Sequence, residues 1–285
     1  MVQKKSMRVC ITGNESSFYR ILVSNIVRWG YEAVIVSPEH IWNMETNIHT
    51  ESDILLYDLD MVSRSSGSKQ EAGKAEQKVG GVGSGTRIAP VWGKLPLLIA
   101  LGSGSVSRVM LEELGAIAFL QKPFEMKQLQ RYVQVLGRLI APTESEQMGV
   151  RSCTDEIRVL VVDDDAFVAK TIRQSLEEKL GYNVVVAHEG LEALEVCLDW
   201  QPHCIITDVI MPWMNGYQIM RCLAAGTVQM MPSFIVMTAL TQKVRPAESG
   251  YLPTKGVLYV QKPFRMGELL TMVEQACMQS SGASS

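Results

Sequence analysis

A chain of 285 residues with 47% apolar and 20% charged residues is long enough for about two globular cores, and this balance excludes a disordered protein. A formal net charge of −3 and a pI near 5.9 give no reason to expect nucleic acid or an anionic membrane as partner. No apolar run approaches the roughly 20 residues that span a bilayer, and the N-terminus, MVQKKSMRVCITGNESS, lacks the apolar core of a secretory signal. The six cysteines form no CxxC pair and mostly stand among apolar residues, as small buried hydrophobes in a reducing compartment do; a cytoplasmic protein is expected.

In chain order the first half reads MRVCITGNESSFYRILVSNIVRWGYEAVIVS (7–37), SDILLYDLDM (52–61), LPLLIALGS (95–103) and AFLQKPFEM (118–126). The second half repeats it, at an offset of 150 residues over the first two segments and a shorter one after the 62–94 insertion: IRVLVVDDDAFVAKTIRQSLEEKLGYNVVVA (157–187), HCIITDVIM (203–211), MPSFIVMTA (231–239) and LYVQKPFRM (258–266). QKPF occurring twice, each time after an apolar run, marks a tandem duplication. The runs RVLVV, NVVVA, CIITDV, SFIVM and GVLYV are short and continuously apolar, which suits strands of a parallel sheet buried on both faces. AFVAKTIRQSLEEKL and LEALEVCLDW carry apolar residues at helical spacing. Strands alternating with helices predict, for each copy, an α/β doubly wound sheet of five parallel strands, with its ligand at the C-terminal strand ends.

These patterns divide the chain into a first domain over 1–140, a polar linker over 141–156, a second domain over 157–279 and a disordered tail over 280–285. A Ser/Gly/Lys-rich insertion over 62–94 is expected to be a mobile loop; its GGVGSG lacks the preceding strand and the Lys-Ser/Thr ending of a phosphate-binding loop.

Asp163, Asp164 and Asp165 follow an apolar strand directly, where carboxylates repel one another and resist desolvation. In a doubly wound sheet Asp163 and Asp164 converge with Asp208, Thr238 and Lys262 on one crevice. Three carboxylates with a lysine nearby make a hard-oxygen pocket suited to Mg2+, which offsets their repulsion. Asp208 stands where a carboxylate could attack phosphorus, with Lys262 and the Thr238 hydroxyl binding phosphoryl oxygens. Asp165 is expected to cap the following helix instead. His188 and His203 read as loop residues.

Residues 157–278 resemble a receiver domain of the two-component response regulator family, through VVDDD, TDVIMPWMNG, FIVMTA and YVQKPF. The resemblance implies a flavodoxin-like sheet with strand order 2-1-3-4-5. It implies phosphotransfer to Asp208 from a phosphohistidine of a sensor histidine kinase or histidine phosphotransfer protein. Thr238 would swing toward the phosphoryl group while Tyr259 turns inward. Mg2+ would be held by Asp163, Asp164, Asp208 and the backbone carbonyl of Ile210.

In the first copy Asp163 and Asp164 are replaced by Gly13 and Asn14, Thr238 by Gly102 and Tyr259 by Phe119, while Asp58 and Lys122 keep the acceptor and lysine positions. Without the acidic pair a metal loses most of its ligation, so the first domain is read as a degenerate pseudo-receiver in which Asp58 and Lys122 form a salt bridge. Glu15 is the residue that would restore acidity. Asp58-x-Asp60 after an apolar strand also resembles the opening of haloacid dehalogenase-type phosphatases, but the second copy has no second Asp there.

Only MQSSGASS follows Cys277, and no DNA-binding or independent catalytic motif is left to assign. The expected function is therefore phosphorelay signalling through protein–protein contacts, without enzymatic activity of its own and with a homodimer possible. A phosphate sink or relay, or an unphosphorylated scaffold, are the alternatives. Pro246, Gly250 and Pro253 predict a shortened or displaced fourth helix in the second copy.

Overall fold

The computed structural model describes residues 7–14, 16–38, 52–61, 96–141, 156–226, 231–239 and 257–281. The insertion over 62–94, Glu15, the linker residues 142–155 and the segment expected to hold the altered fourth helix lie outside the described residues. The chain divides into two compact units, Met1–Arg131 and Tyr132–Ser285.

In the first unit β1 (Arg8–Thr12), β2 (Glu32–Val36), β3 (Ile54–Asp58), β4 (Leu97–Gly102) and β5 (Ala116–Gln121) form one parallel sheet in the order β2-β1-β3-β4-β5. Helix α1 (Ser17–Arg28) connects β1 to β2, and α2 (Arg108–Glu113) connects β4 to β5. Helix α3 (Met126–Ile140) follows β5, and the division between the units falls within it. The second unit repeats the plan with β6 (Arg158–Val162), β7 (Asn183–Ala187), β8 (Cys204–Asp208), β9 (Ser233–Thr238) and β10 (Val257–Gln261), paired in the order β7-β6-β8-β9-β10. Its helices are α4 (Ala166–Leu180), α5 (Gly190–Trp200), α6 (Gly216–Ala225) and α7 (Met266–Ser281). Both sheets are all-parallel, doubly wound and five-stranded, as the alternation of apolar runs and amphipathic segments requires.

The β3 and β8 strands are buried along their whole length, which explains why ILLYD and CIITD carry so few polar residues. Behind the second sheet, Val159, Val161, Ile206, Ile235 and Met237 pack against Ala169, Ile172 and Leu176 of α4 and Leu269 and Val273 of α7. Cys10, Cys197, Cys204, Cys222 and Cys277 are buried free thiols. Burial pushes Cys197 up to about 12, so it behaves as a small hydrophobe rather than a nucleophile. No described helix is long and apolar enough to cross a membrane.

Local chemistry sets the helix starts beside the strand ends. The Asp165 carboxylate accepts from the amides of Phe167 and Val168 at 2.8 and 3.3 Å and caps α4. Asn215 and Gln218 form a reciprocal capping box at the start of α6. Gly216, the first residue of α6, lies so close to β8 that a Cβ there would stand 2.5 Å from Thr207 Cγ2. A glycine-to-alanine change inside a helix ordinarily stabilises by about 0.5–1 kcal/mol. Gly216→Ala is expected to do the reverse, lowering the unfolding free energy of the second unit by about 1–3 kcal/mol through overpacking. Denaturant titration checks the sign, and a stabilised variant would contradict this packing.

Candidate functional site: two crevices at the strand ends

Parallel register brings the polar residues of the second unit to one edge. Val162 pairs with Thr207, Asp208 with Met237 and Thr238 with Gln261, so residues 163, 208, 238 and 262 all leave the sheet at the same end. Asp163 is 1% and Asp208 8% exposed. Lys262 Nζ lies 2.8 Å from Asp208 Oδ2 and 3.2 Å from Asp163 Oδ2. The free oxygens are held by the backbone: Asp165 N–H donates to Asp163 Oδ1 at 2.9 Å, and Ile210 N–H donates to Asp208 Oδ1 at 3.1 Å.

Among the described residues, Asp163, Asp164 and Asp208 make up a group whose ligand atoms all lie within 4.8 Å of one another. Three carboxylate oxygens, with Asp164 exposed to solvent, match the preference of Mg2+ for hard oxygen ligands and retained water. Burial pushes the Asp163 carboxyl above its ordinary range; the Asp165 amide and the Lys262 charge act against the rise, and the neighbouring Asp208 charge adds to it. For Lys262 burial acts downward, but the hydrogen bond to Asp208 and the charges of both carboxylates hold the ammonium above its ordinary value. The crevice is thus short of positive charge even with its lysine in place.

Thr238 ends β9, and its carbonyl accepts from Lys262 N–H at 2.8 Å. Tyr259 stands half-buried on β10. Ile210 and Trp213, which follow Asp208, are about half exposed, with Trp213 in the left-handed region at φ 64. His188, read from the sequence as a loop residue, places Nδ1 3.2 Å from the main-chain oxygen of Asp163. The sequence offered no signal for this, since β7 and the loop after β6 meet only through sheet order. His203 accepts from Arg158 N–H at 3.0 Å at the opposite, N-terminal end of β6.

The first crevice has the same frame and different contents. Asp58 is completely buried, and its Oδ2 receives Lys122 Nζ at 2.5 Å and the Tyr19 hydroxyl at 2.6 Å. The salt bridge between Asp58 and Lys122 is therefore present. Tyr19 is a residue that sequence reading passed over. It stands where the second copy has Ala169, and it needs Gly13 where the second copy has Asp163: a Cβ at 13 would lie 2.5–2.7 Å from the Tyr19 ring. A small-for-acid exchange and a large-for-small exchange six residues apart were the available signal.

Asp60, the second acid of Asp58-x-Asp60, has partners at the same sheet edge. Its carboxylate receives Ser103 N–H at 3.0 Å, the Ser103 hydroxyl at 2.7 Å and Lys122 Nζ at 3.0 Å. Burial alone would raise the Asp60 carboxyl, but the Ser103 hydroxyl and amide and the Lys122 charge outweigh it and hold it at about 2. Phe119 lies against Gly102, where a Cβ would meet the ring at 3.3 Å.

Residues 159–274, running from β6 into α7, match the family model of the response regulator receiver domain. Response regulator MprA of Mycobacterium tuberculosis is 38% identical over 120 residues, covering 40% of this chain and 47% of the relative. MprA of Mycobacterium avium is 37% identical over 120 residues, covering 40% and 48%. The chain thus spans about half the length of the curated relatives it matches. Among solved structures, the Francisella response regulator 1452 receiver domain is 28% identical with a TM-score of 0.39, covering 44% of this chain and 99% of that one. Vibrio cholerae chemotaxis protein CheY4 is 24% identical with a TM-score of 0.37, covering 42% and 98%.

Two expectations follow. Burial raises the folded-state pKa of Asp163 above its ordinary value, so its contribution to stability is complete below the ordinary carboxylate range and is lost as pH rises through the folded pKa. At pH 7 the ionised group costs stability. Asp163→Asn should therefore raise the melting temperature of the second unit in metal-free buffer. The same change should abolish the gain that Mg2+ gives the wild type, ~1.4 kcal/mol at about ten times its Kd. Thermal unfolding with and without chelator measures both, and a lowered metal-free midpoint contradicts the charge imbalance. In the first unit, Lys122→Met leaves a buried carboxylate uncompensated and should cost about 3–5 kcal/mol. Tyr19→Phe removes one neutral donor and should cost about 1–3 kcal/mol. Denaturant titration in which the two costs come out in the opposite order would contradict the arrangement around Asp58.

Proposed function

We propose that the receiver domain over residues 159–274 is the phosphate input of this protein, with Asp208 as acceptor. The donor is a phosphohistidine on a sensor histidine kinase or a histidine phosphotransfer protein, and the output passes through protein–protein contacts. The observation that carries this reading is the charge arrangement: Asp163, Asp164 and Asp208 with ligand atoms within 4.8 Å of one another, and Lys262 at 2.8 Å from Asp208.

In the transfer, an Asp208 carboxylate oxygen forms a bond to phosphorus as the bond from phosphorus to the donor imidazole nitrogen breaks. The bonding pair stays on that nitrogen. Asp163, Asp164, Asp208 and the Ile210 carbonyl would hold Mg2+, which when bound supplies the positive charge that lets a carboxylate and a phosphoryl group approach. Lys262 leaves its shared position between the two carboxylates and binds a phosphoryl oxygen, and the Thr238 hydroxyl binds another. Movement of Thr238 at the end of β9 opens space toward Tyr259 on the neighbouring β10, where the pair of strands is in register. A local gain of charge thereby becomes a change of surface.

Asp58 is no acceptor in this reading. Its reactive oxygen is held by Tyr19 and Lys122, and the metal-binding acids are replaced by Gly13 and Asn14.

Intact-mass measurement after incubation with acetyl phosphate and Mg2+ tests the assignment. One phosphoryl adduct is expected in the wild type and in Asp58→Ala, and none in Asp208→Ala. An adduct that survives Asp208→Ala, or that is lost in Asp58→Ala, would overturn it.

A further inference from the structure

The end of the first sheet contains a complete set of oxyanion donors. The Lys122 ammonium, the Ser103 amide and the Ser103 hydroxyl converge on a single point from β5 and the turn after β4. A cation, a backbone N–H and a hydroxyl aimed at one position are what a phosphoryl or carboxylate group needs to be held against water. That position is filled by the carboxylate of Asp60, two residues beyond Asp58.

The second unit shows the same positions with different contents. Lys262 stands for Lys122, Ala239 for Ser103 and Ile210 for Asp60. Lys262 there reaches back to Asp163 and Asp208, and the residue at 210 brings no acceptor side chain. Thr238 supplies the hydroxyl at the strand end, whereas in the first unit that position is Gly102 and the hydroxyl has moved one residue on, to Ser103. Gly102 also makes room for the ring of Phe119, which packs against the strand end where a Cβ would crowd it. The donors were rearranged around an internal anion.

We propose that the first unit holds an oxyanion cage, built from Lys122 and Ser103, that the chain occupies with its own Asp60 carboxylate. The unit thereby keeps permanently the anion-filled arrangement that the second unit reaches only on phosphorylation. The comparison with the second unit rests on the reading of Asp208 as phosphoacceptor; the cage and its occupant do not. The low pKa of Asp60, about 2, means the carboxylate stays charged at any physiological pH. The first unit is then a pre-set module that takes no phosphate input, and signal enters the protein through Asp208 alone.

Hydrogen-exchange mass spectrometry on the full chain tests this, comparing wild type, Asp60→Asn and Asp60→Ala. In the peptide covering Ser103–Leu114, Asp60→Ala is expected to exchange about tenfold faster than wild type, the scale of losing a charge-assisted hydrogen bond. Added inorganic phosphate or sulfate should slow that exchange again by refilling the emptied cage. Asp60→Asn, close in shape but uncharged, should fall between, and it decides the question if Asp60→Ala fails to fold. In wild type, acetyl phosphate with Mg2+ should leave the first unit's exchange unchanged. Wild-type exchange in Asp60→Asn, a folded Asp60→Ala that no anion protects, or a first unit that responds to acetyl phosphate would each overturn the proposal. The mass of the same samples reads the Asp208 adduct separately, so loss of that adduct sinks the acceptor reading and leaves the result on Asp60 standing.

Discussion

A carboxylate buried at the C-terminal end of a central parallel strand is the constraint around which both units are arranged. Asp58 is wholly buried and Asp208 nearly so. Removing such a charge from water costs several kcal/mol unless a counter-charge and hydrogen bonds meet it. Each unit supplies the counter-charge from the same place, the lysine directly after its last strand, and this requires the C-terminal ends of strands three, four and five of each sheet to stay aligned. The caps at Asp165 and Asn215 and the close approach of Gly216 to β8 hold the loops that surround Asp208.

The two copies answer the same charge problem in opposite ways. In the second unit the lysine is shared between two carboxylates, a third lies nearby, and the crevice keeps an excess of negative charge that favours a cation. In the first unit the acids at 163 and 164 have become Gly13 and Asn14, and Tyr19 closes over the carboxylate. The acidic pair is gone, and the remaining carboxylates are satisfied by side chains and backbone amides of the chain itself. A receptive site depends on unmet electrostatic demand, and a closed one on meeting that demand within the chain.

The repeat made much of this readable in advance. Alternating apolar runs and amphipathic segments carry the two parallel sheets, because strands buried on both faces admit almost no polar residue. Asp163, Asp164, Asp208, Thr238 and Lys262 were legible because each ends or directly follows an apolar run, and doubly wound sheets bring those ends together. Asp165 was legible as a cap from its place before an amphipathic helix. Tyr19, Asp60, Ser103 and His188 were not. Tyr19 sits within a helix whose aromatic and apolar residues are equally compatible with core packing. Asp60 and Ser103 are joined by a hydrogen bond across 43 residues of sequence.

What the sequence by itself determined is the inventory and its periodicity: two doubly wound α/β folds, one with a full acidic set and one without it. Local propensity and apolar spacing act over a few residues, and the duplication let one copy be read against the other. Only the tertiary structure decided which partner each charged group takes. Lys122 contacts both Asp58 and Asp60, Lys262 contacts Asp163 and Asp208, and the Tyr19 hydroxyl turns inward onto Asp58. Those choices depend on distances of a few ångström between strand ends far apart in sequence, and on the room left by a missing Cβ at Gly13 and Gly102. Electrostatic and steric terms of that kind are set by where the strands end relative to one another, which no local pattern encodes.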